Sequence, residues 1–134
     1  MVTLADIRPA TEADMNFVIN SWLKTQRDVG HHAYMSNPVY FGHYRDQVVA
    51  KLAASTTTIA CEPEHPEHIF GYIVRGDGCI HMLYVKHDFR KLGIARQLVE
   101  TTGGLAKPQY VTEVRTGWET WRSKYGLVYD PREA

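Results

Sequence analysis

Apolar and polar residues alternate over Leu4-Ala5-Asp6-Ile7-Arg8, as on a half-buried strand, and Pro9 ends the run. Thr11-Glu12-Ala13-Asp14 then reads as a helix start, with Thr11 as cap and two acids at the positive end. Met15, Phe17, Val18, Trp22 and Leu23 form the apolar stripe of that helix, which is expected to end near Val29-Gly30. His31 to Asn37 mixes aromatic, polar and small residues and reads as a loop closed by Pro38. Tyr40, Phe41, Tyr44, Val48, Val49 and Leu52 return at helical spacing and predict a second helix through Ala54.

The pattern then changes period. Thr56-Thr57-Thr58-Ile59-Ala60-Cys61 is β-branched and predicts a strand, followed by a loop from Glu62 to His68 that carries Pro63 and Pro66. Ile69-Phe70-Gly71-Tyr72-Ile73-Val74 is the next strand, turned by Gly76-Asp77-Gly78 into another beginning at Ile80. A helix with Ile94, Leu98 and Val99 on its apolar side follows and stops at Gly103-Gly104. Lys107-Pro108 leads into a strand over Tyr110 to Arg115, then a short helix from Trp118 to Lys124 and a last strand, Leu127-Val128-Tyr129, before Pro131.

The stretch from Ile80 to Val99 carries the most chemistry. An apolar strand passes through a short charged turn and Gly93 into a helix. The first turn of a helix has unsatisfied N–H donors and the positive end of the dipole, so it suits an anion. Gly93 can adopt positive φ or let a ligand come close to the backbone, and Arg90, Lys91 and Arg96 place cations on both sides of it. A phosphorylated ligand is the expected occupant. The simpler reading, a strand-turn-helix with one ordinary glycine, stays open on these residues alone.

Composition narrows the setting. At 134 residues the chain is expected to form a single domain, 1–134, with a core of its own. Its formal net charge of zero gives no reason to expect bulk binding to nucleic acid or an anionic membrane. No apolar run approaches the ~20 residues of a membrane span. Asp6, Arg8, Glu12 and Asp14 interrupt the start of the chain too early for a secretory signal segment. Two cysteines, Cys61 and Cys79, are too few for a disulfide framework, which favours the reducing cytoplasm. Cys61-x-x-x-His65-x-x-His68, with His31-His32 elsewhere, has zinc-ligand residue types but no paired C-x-x-C half, and its prolines and acids suit an exposed loop. No metal is expected there.

Arg90-Lys91-Leu92-Gly93-Ile94-Ala95 resembles the acyl-CoA signature of the GNAT N-acetyltransferases, Arg/Gln-x-x-Gly-x-Gly/Ala. It lies where that family has it, after a strand ending Leu83-Tyr84-Val85 and a lead-in of Asp88-Phe89. The resemblance implies an α/β (α+β) fold with a mixed, mostly antiparallel sheet of six to seven strands and about four flanking helices. It implies acetyl-CoA as acyl donor, with the turn's N–H groups on the pyrophosphate and the backbone of Leu83, Tyr84 and Val85 along the pantetheine arm. The cofactor-binding set so implied is Leu83, Tyr84, Val85 and Arg90, Lys91, Leu92, Gly93, Ile94, Ala95 and Arg96. The segment between the first two strands would cover the acceptor site, which makes His31, His32, Tyr34, Tyr40 and His43 pocket candidates. Packed aromatics and solvent-exposed histidines are the competing reading.

Transfer to an amine needs a held thioester, a base for the amine proton, an acid for the thiolate and a donor for the oxyanion, here a backbone N–H near Leu83 to Val85. Glu113-Val114-Arg115 resembles the fifth strand of ribosomal-protein N-terminal acetyltransferases, which makes Glu113 the base and Tyr125, twelve residues on, the acid. A second register, anchored on Gly126-Leu127, puts Arg122 in the tyrosine slot and Trp118 in an alanine slot, and so fails. His81 on the central strand is a further base candidate, because imidazole titrates near neutrality. The implied acceptor is a small amine or a protein amine, for a protein acting as monomer or homodimer. The size and the aromatic, histidine-rich second helix resemble small bacteriophage-encoded members. Two alternatives stay open: a GNAT-fold module that binds CoA or a host protein without transfer, and a GNAT-like modifier of nucleic-acid bases.

Overall fold

The computed structural model describes residues 5–27, 30–76, 79–103, 109–111 and 127–129, the last two segments by backbone alone. Strands β1 (Asp6–Pro9), β2 (Thr56–Cys61), β3 (Ile69–Gly76), β4 (Cys79–Val85), β5 (Gln109–Val111) and β6 (Leu127–Tyr129) form one sheet in chain order. The first four pair antiparallel, whereas β5 runs parallel to β4 and β6 parallel to β5. The helices are α1 (Met15–Gln26), α2 (Arg45–Ala53) and α3 (Ile94–Thr101). The expected six to seven strands and four helices are thus met only coarsely. Among the described residues, four strands and three α-helices carry the architecture, and β5 and β6 are three-residue additions. The helix expected at Trp118 to Lys124 lies outside the described residues.

Both faces of the sheet are covered, which is why β3 and β4 read as continuous apolar runs instead of alternating. On one face Ile59, Cys61, Tyr72, Val74 and Met82 pack against Val18, Trp22, Tyr44 and Val48 from α1 and the second helical segment. On the other face Ala60, Ile73, Leu83 and Val85 pack against Ile94, Leu98 and Val99 of α3. Trp22 is fully buried and its Nε1 donates to the Tyr44 hydroxyl at 3.1 Å, so its polar edge is satisfied inside the core.

Two local departures matter. The second helical segment opens as a π-helix, Val39–Tyr44, before continuing as α2. Its buried residues fall at Tyr40, Tyr44, Val48 and Leu52, while the predicted stripe members Phe41 and Val49 are 49% and 39% exposed. The segment expected as a loop contains a 3₁₀ turn, Gly30–Tyr34.

The helix start follows its sequence reading and adds an acid to it. Thr11 is the N-cap of the 3₁₀ turn Glu12–Asp14 that leads into α1, and the Asp14 carboxylate completes the box, taking the Thr11 N–H at 2.7 Å and the Thr11 hydroxyl at 3.0 Å. Arg8 binds the same carboxylate through both Nη atoms, at 2.7 and 2.9 Å. The Arg8 hydrogen bond is the main reason the Asp14 carboxyl is held down at about 2, against an ordinary 3.8. A depressed carboxyl stabilises the fold above its unfolded value and loses that contribution as pH falls through the folded one. Asp14 therefore supplies about 2 kcal/mol at pH 5 and above, lost progressively between about pH 4 and pH 2. Urea unfolding of Asp14→Asn should lie below wild type at pH 7 by a similar amount, with the gap closing near pH 2. An unchanged gap across that range would contradict the assignment.

Candidate functional site

After Val85 the chain makes a 3₁₀ turn, His87–Phe89, and reaches α3 through Arg90 to Gly93. Its conformation follows from a few contacts. Phe89 stacks on Phe70 with ring centroids 4.3 Å apart, and the Lys86 N–H donates to the Phe70 carbonyl at 2.8 Å. Arg90 Nε donates to the Val85 carbonyl at 2.8 Å and braces the turn against the strand end. Lys91 and Gly93 both sit in the left-handed region, at φ +65° and +85°. For Lys91 that costs on the order of 1 kcal/mol. Ile94, Leu98 and Val99 fix α3 on the sheet, and Gln97 Nε2 reaches the Ala5 carbonyl at 2.9 Å.

This leaves a cationic concentration of donors at the head of α3. Arg90, Lys91, Leu92, Gly93 and Arg96 are exposed, whereas Ile94 is buried and Ala95 half-buried. The first N–H groups of α3 have no intrahelical acceptor by geometry, and they carry the positive end of its dipole. A Cβ built on Gly93 would meet nothing within 4 Å, so the space in front of the turn is open. The arrangement suits a phosphate or pyrophosphate.

The edge of β4 continues from this turn. Tyr72 pairs with Tyr84 and Val74 with Met82, while Gly71 and Ile73 face Val85 and Leu83. Because Lys86 N–H bonds to Phe70, the alternation of an antiparallel ladder turns the backbone groups of Leu83 and Val85 away from β3. On that far side β5 pairs with β4 only at Cys79 and Ile80. Among the described residues, the β4 edge from Leu83 to Val85 therefore has no strand against it. Arg90 takes the Val85 carbonyl, which leaves the Leu83 and Val85 N–H groups and the Leu83 carbonyl along the edge. Tyr84 is half-buried beside Phe17 and Tyr72, with centroids 6.2 and 5.5 Å away.

Among the described residues, the remaining predicted ones do not converge. His81 is buried at an irregularity in β4, its Nε2 3.7 Å from Cys79 Sγ. Glu113 and Tyr125 lie outside the described residues. Of the acceptor-pocket candidates, His32 and Tyr40 are buried in one aromatic cluster, with His32 4.2 Å from the Tyr44 ring and 5.7 Å from that of Tyr40. Tyr34 is 92% exposed and His43 is exposed beside Gln47. The side chain of His31 lies outside those described. Cys61 is buried in the sheet, while His65 and His68 sit on an exposed loop beside Glu67 and Glu62. Sequence reading missed Arg27, which donates to the carbonyls of His32 and Met35 and to Asn37 Oδ1, and covers the Tyr40 ring at 4.8 Å. A lone arginine at a helix end carries no signal of such a role.

A family model described as an acetyltransferase (GNAT) domain matches residues 37–116, more than half of the chain, and takes in β2 to β4, the turn and α3. The chain belongs to the GNAT acetyltransferases. This GNAT domain is similar in fold to the apo form of YjaB from Escherichia coli, at 21% identity and TM-score 0.52, over 75% of this chain and 64% of that one. It is also similar to a GCN5-related N-acetyltransferase from Rhodopseudomonas palustris, at 17% identity and TM-score 0.59, over 92% of this chain and 82% of that one. At these identities the likeness is one of fold. No curated protein matches the chain by sequence. No described helix is long and apolar enough to cross a membrane.

Proposed function

We propose that this GNAT domain, spanning 1–134, transfers an acetyl group from acetyl-CoA to a primary amine. One observation carries the reading: the β4 edge at Leu83–Val85, which has no strand against it among the described residues, runs directly into a cationic, left-handed turn at the head of a helix. The turn suits the pyrophosphate and the edge suits an extended arm carrying amides, since a strand edge offers donors and acceptors at regular spacing. Arg90, through its two Nη groups, and Lys91 and Arg96 neutralise the phosphates, while Leu92 to Ala95 supply backbone N–H groups.

In this reading the thioester lies along β4, and a Leu83 or Val85 N–H receives the oxyanion, a donor already oriented and needing no rearrangement. The amine must lose a proton and the departing sulfur must gain one. Glu113 and His81 are the proposed bases and Tyr125 the proposed acid. The acceptor is a small amine or a protein amine, and the setting is the cytoplasm, with the likeness to bacteriophage-encoded members part of the same proposal. A thiol-release assay with acetyl-CoA across an amine panel tests it, with acetyl-CoA binding measured in parallel. The proposal expects binding, and turnover on at least one amine. Binding without turnover on any amine, host lysate included, would favour a non-catalytic CoA-binding module. Absence of binding would remove the acyl-CoA reading altogether.

A further inference from the structure

An amine that attacks a thioester lying on the β4 edge has to reach it past one face of the sheet. Under α3 that way is closed, since Leu83 and Val85 are 8% and 4% exposed and pack with Ile94 and Leu98. Successive strand residues point to opposite faces, so Tyr84 and Lys86 belong to the α1 face, where both are half-buried. Phe17 of α1 stands beside them, its ring 6.2 Å from that of Tyr84 and 6.1 Å from that of Tyr72. Tyr72 ties this aromatic wall to α1, donating to the Val18 carbonyl at 3.2 Å with its hydroxyl 2.8 Å from Ser21 Oγ.

Lys86 brings a charge to the wall. Its Nζ lies 5.0 Å from the centroid of the Phe17 ring, a cation–π contact that holds the ammonium on the α1 face. No carboxylate pairs with it among the described residues. A ring face attracts a cation without neutralising it, and a half-buried ammonium gains more from an anion than one in bulk water. Arg90, Lys91 and Arg96 are grouped at the turn, where several cations suit a polyanion. Lys86 is a point charge beside apolar rings, which matches the single charge of a carboxylate.

We propose that the acceptor carries a carboxylate in addition to its amine, with Lys86 holding the carboxylate and Phe17 and Tyr84 contacting an apolar frame. The inference rests on the acetyl-transfer reading above and deepens it. Amino acids are the substrate class, in preference to diamines and polyamines, whose further positive charge Lys86 repels. The same ammonium disfavours a protonated amine close by, so more of the bound acceptor is in the neutral form that attacks.

The test compares amino acids with the amines left when their carboxyl group is removed: phenylalanine with phenethylamine, tyrosine with tyramine, and lysine with cadaverine. Steady-state rates are taken on the intact protein at saturating acetyl-CoA, and calorimetry follows binding of each compound to the CoA-loaded protein. In each pair kcat/KM should favour the amino acid by about tenfold, the size of a charge-assisted contact. Lys86→Gln should abolish the preference, raising the amino acid's KM more than it lowers kcat, while acetyl-CoA binds as it does to wild type. Lys86→Glu should reverse the preference. Amines used by wild type as well as amino acids, or a preference that survives in Lys86→Gln, would overturn the inference and leave transfer standing. Loss of acetyl-CoA affinity in Lys86→Gln would assign the residue to the donor and also overturn it. If no compound turns over, amino-acid binding that Lys86→Gln abolishes would support the carboxylate site and overturn transfer. Binding of none of them, without turnover, would overturn both.

Discussion

Protein carrying Gly93→Trp folds but does not bind acetyl-CoA. Gly93 is left-handed at φ +85°, and a Cβ there would point into open space. Any side chain at this φ costs on the order of 1 kcal/mol of backbone strain, a few degrees in Tm, but meets no neighbouring atom. The indole would occupy the volume in front of the α3 N–H groups, where the phosphates are proposed to lie. Affinity should fall at least ~100-fold, about 2.7 kcal/mol. Gly93→Ala separates the two effects, since it carries the same strain with little bulk and should lose about tenfold or less. Calorimetric titration with acetyl-CoA, alongside thermal unfolding, reads both quantities. Equal affinity for Gly93→Trp and wild type would remove the turn from the binding site.

Gly71→Ala has the opposite signature, in that stability fails first. Gly71 lies in β3 opposite Val85, and an added Cβ would sit 2.3 Å from the Tyr84 carbonyl oxygen and 3.0 Å from the Val85 Cα. Both obstacles are backbone, so the strands must separate at the end of β4 that feeds the turn. Overpacking against rigid groups costs about 3 kcal/mol, the upper range for a small insertion. For a domain of this size that corresponds to a fall of about 10 °C in Tm. Because Val85 also anchors Arg90, acetyl-CoA binding should weaken in whatever fraction remains folded. A Tm within 2 °C of wild type, allowing ~1 kcal/mol, would show that β3 and β4 are less closely apposed.

The elements that sequence reading located best are those whose cause is local. Thr56 to Cys61 is β-branched and is a strand over those residues, and Leu127 to Tyr129 likewise. Ile94, Leu98 and Val99 bury the predicted face of α3, and Gly93 takes the left-handed conformation that a glycine before a helix suggests. What escaped was set by partners distant in the chain. The bulge that aims His81 at Cys79 arises from the register with β3 and has no signal in β4 alone. Lys91 adopts positive φ although its residue type disfavours it, and nothing in its own type signals this. Tyr34 and Tyr40 show the limit of composition in the proposed acceptor region, since one is 92% exposed and the other fully buried. The proposed cofactor side was easier to frame because one short segment carries turn, charge and helix start together. The acceptor side depends on how separate elements meet.

Hydrogen exchange of the backbone amides, with and without saturating acetyl-CoA, tests the central claim most directly. The account predicts protection at two places joined by the turn, namely the Leu83 and Val85 amides and those from Leu92 to Arg96, with little change across β2 or α2. Binding accompanied by protection elsewhere, with these amides exchanging as in the unliganded protein, would contradict it.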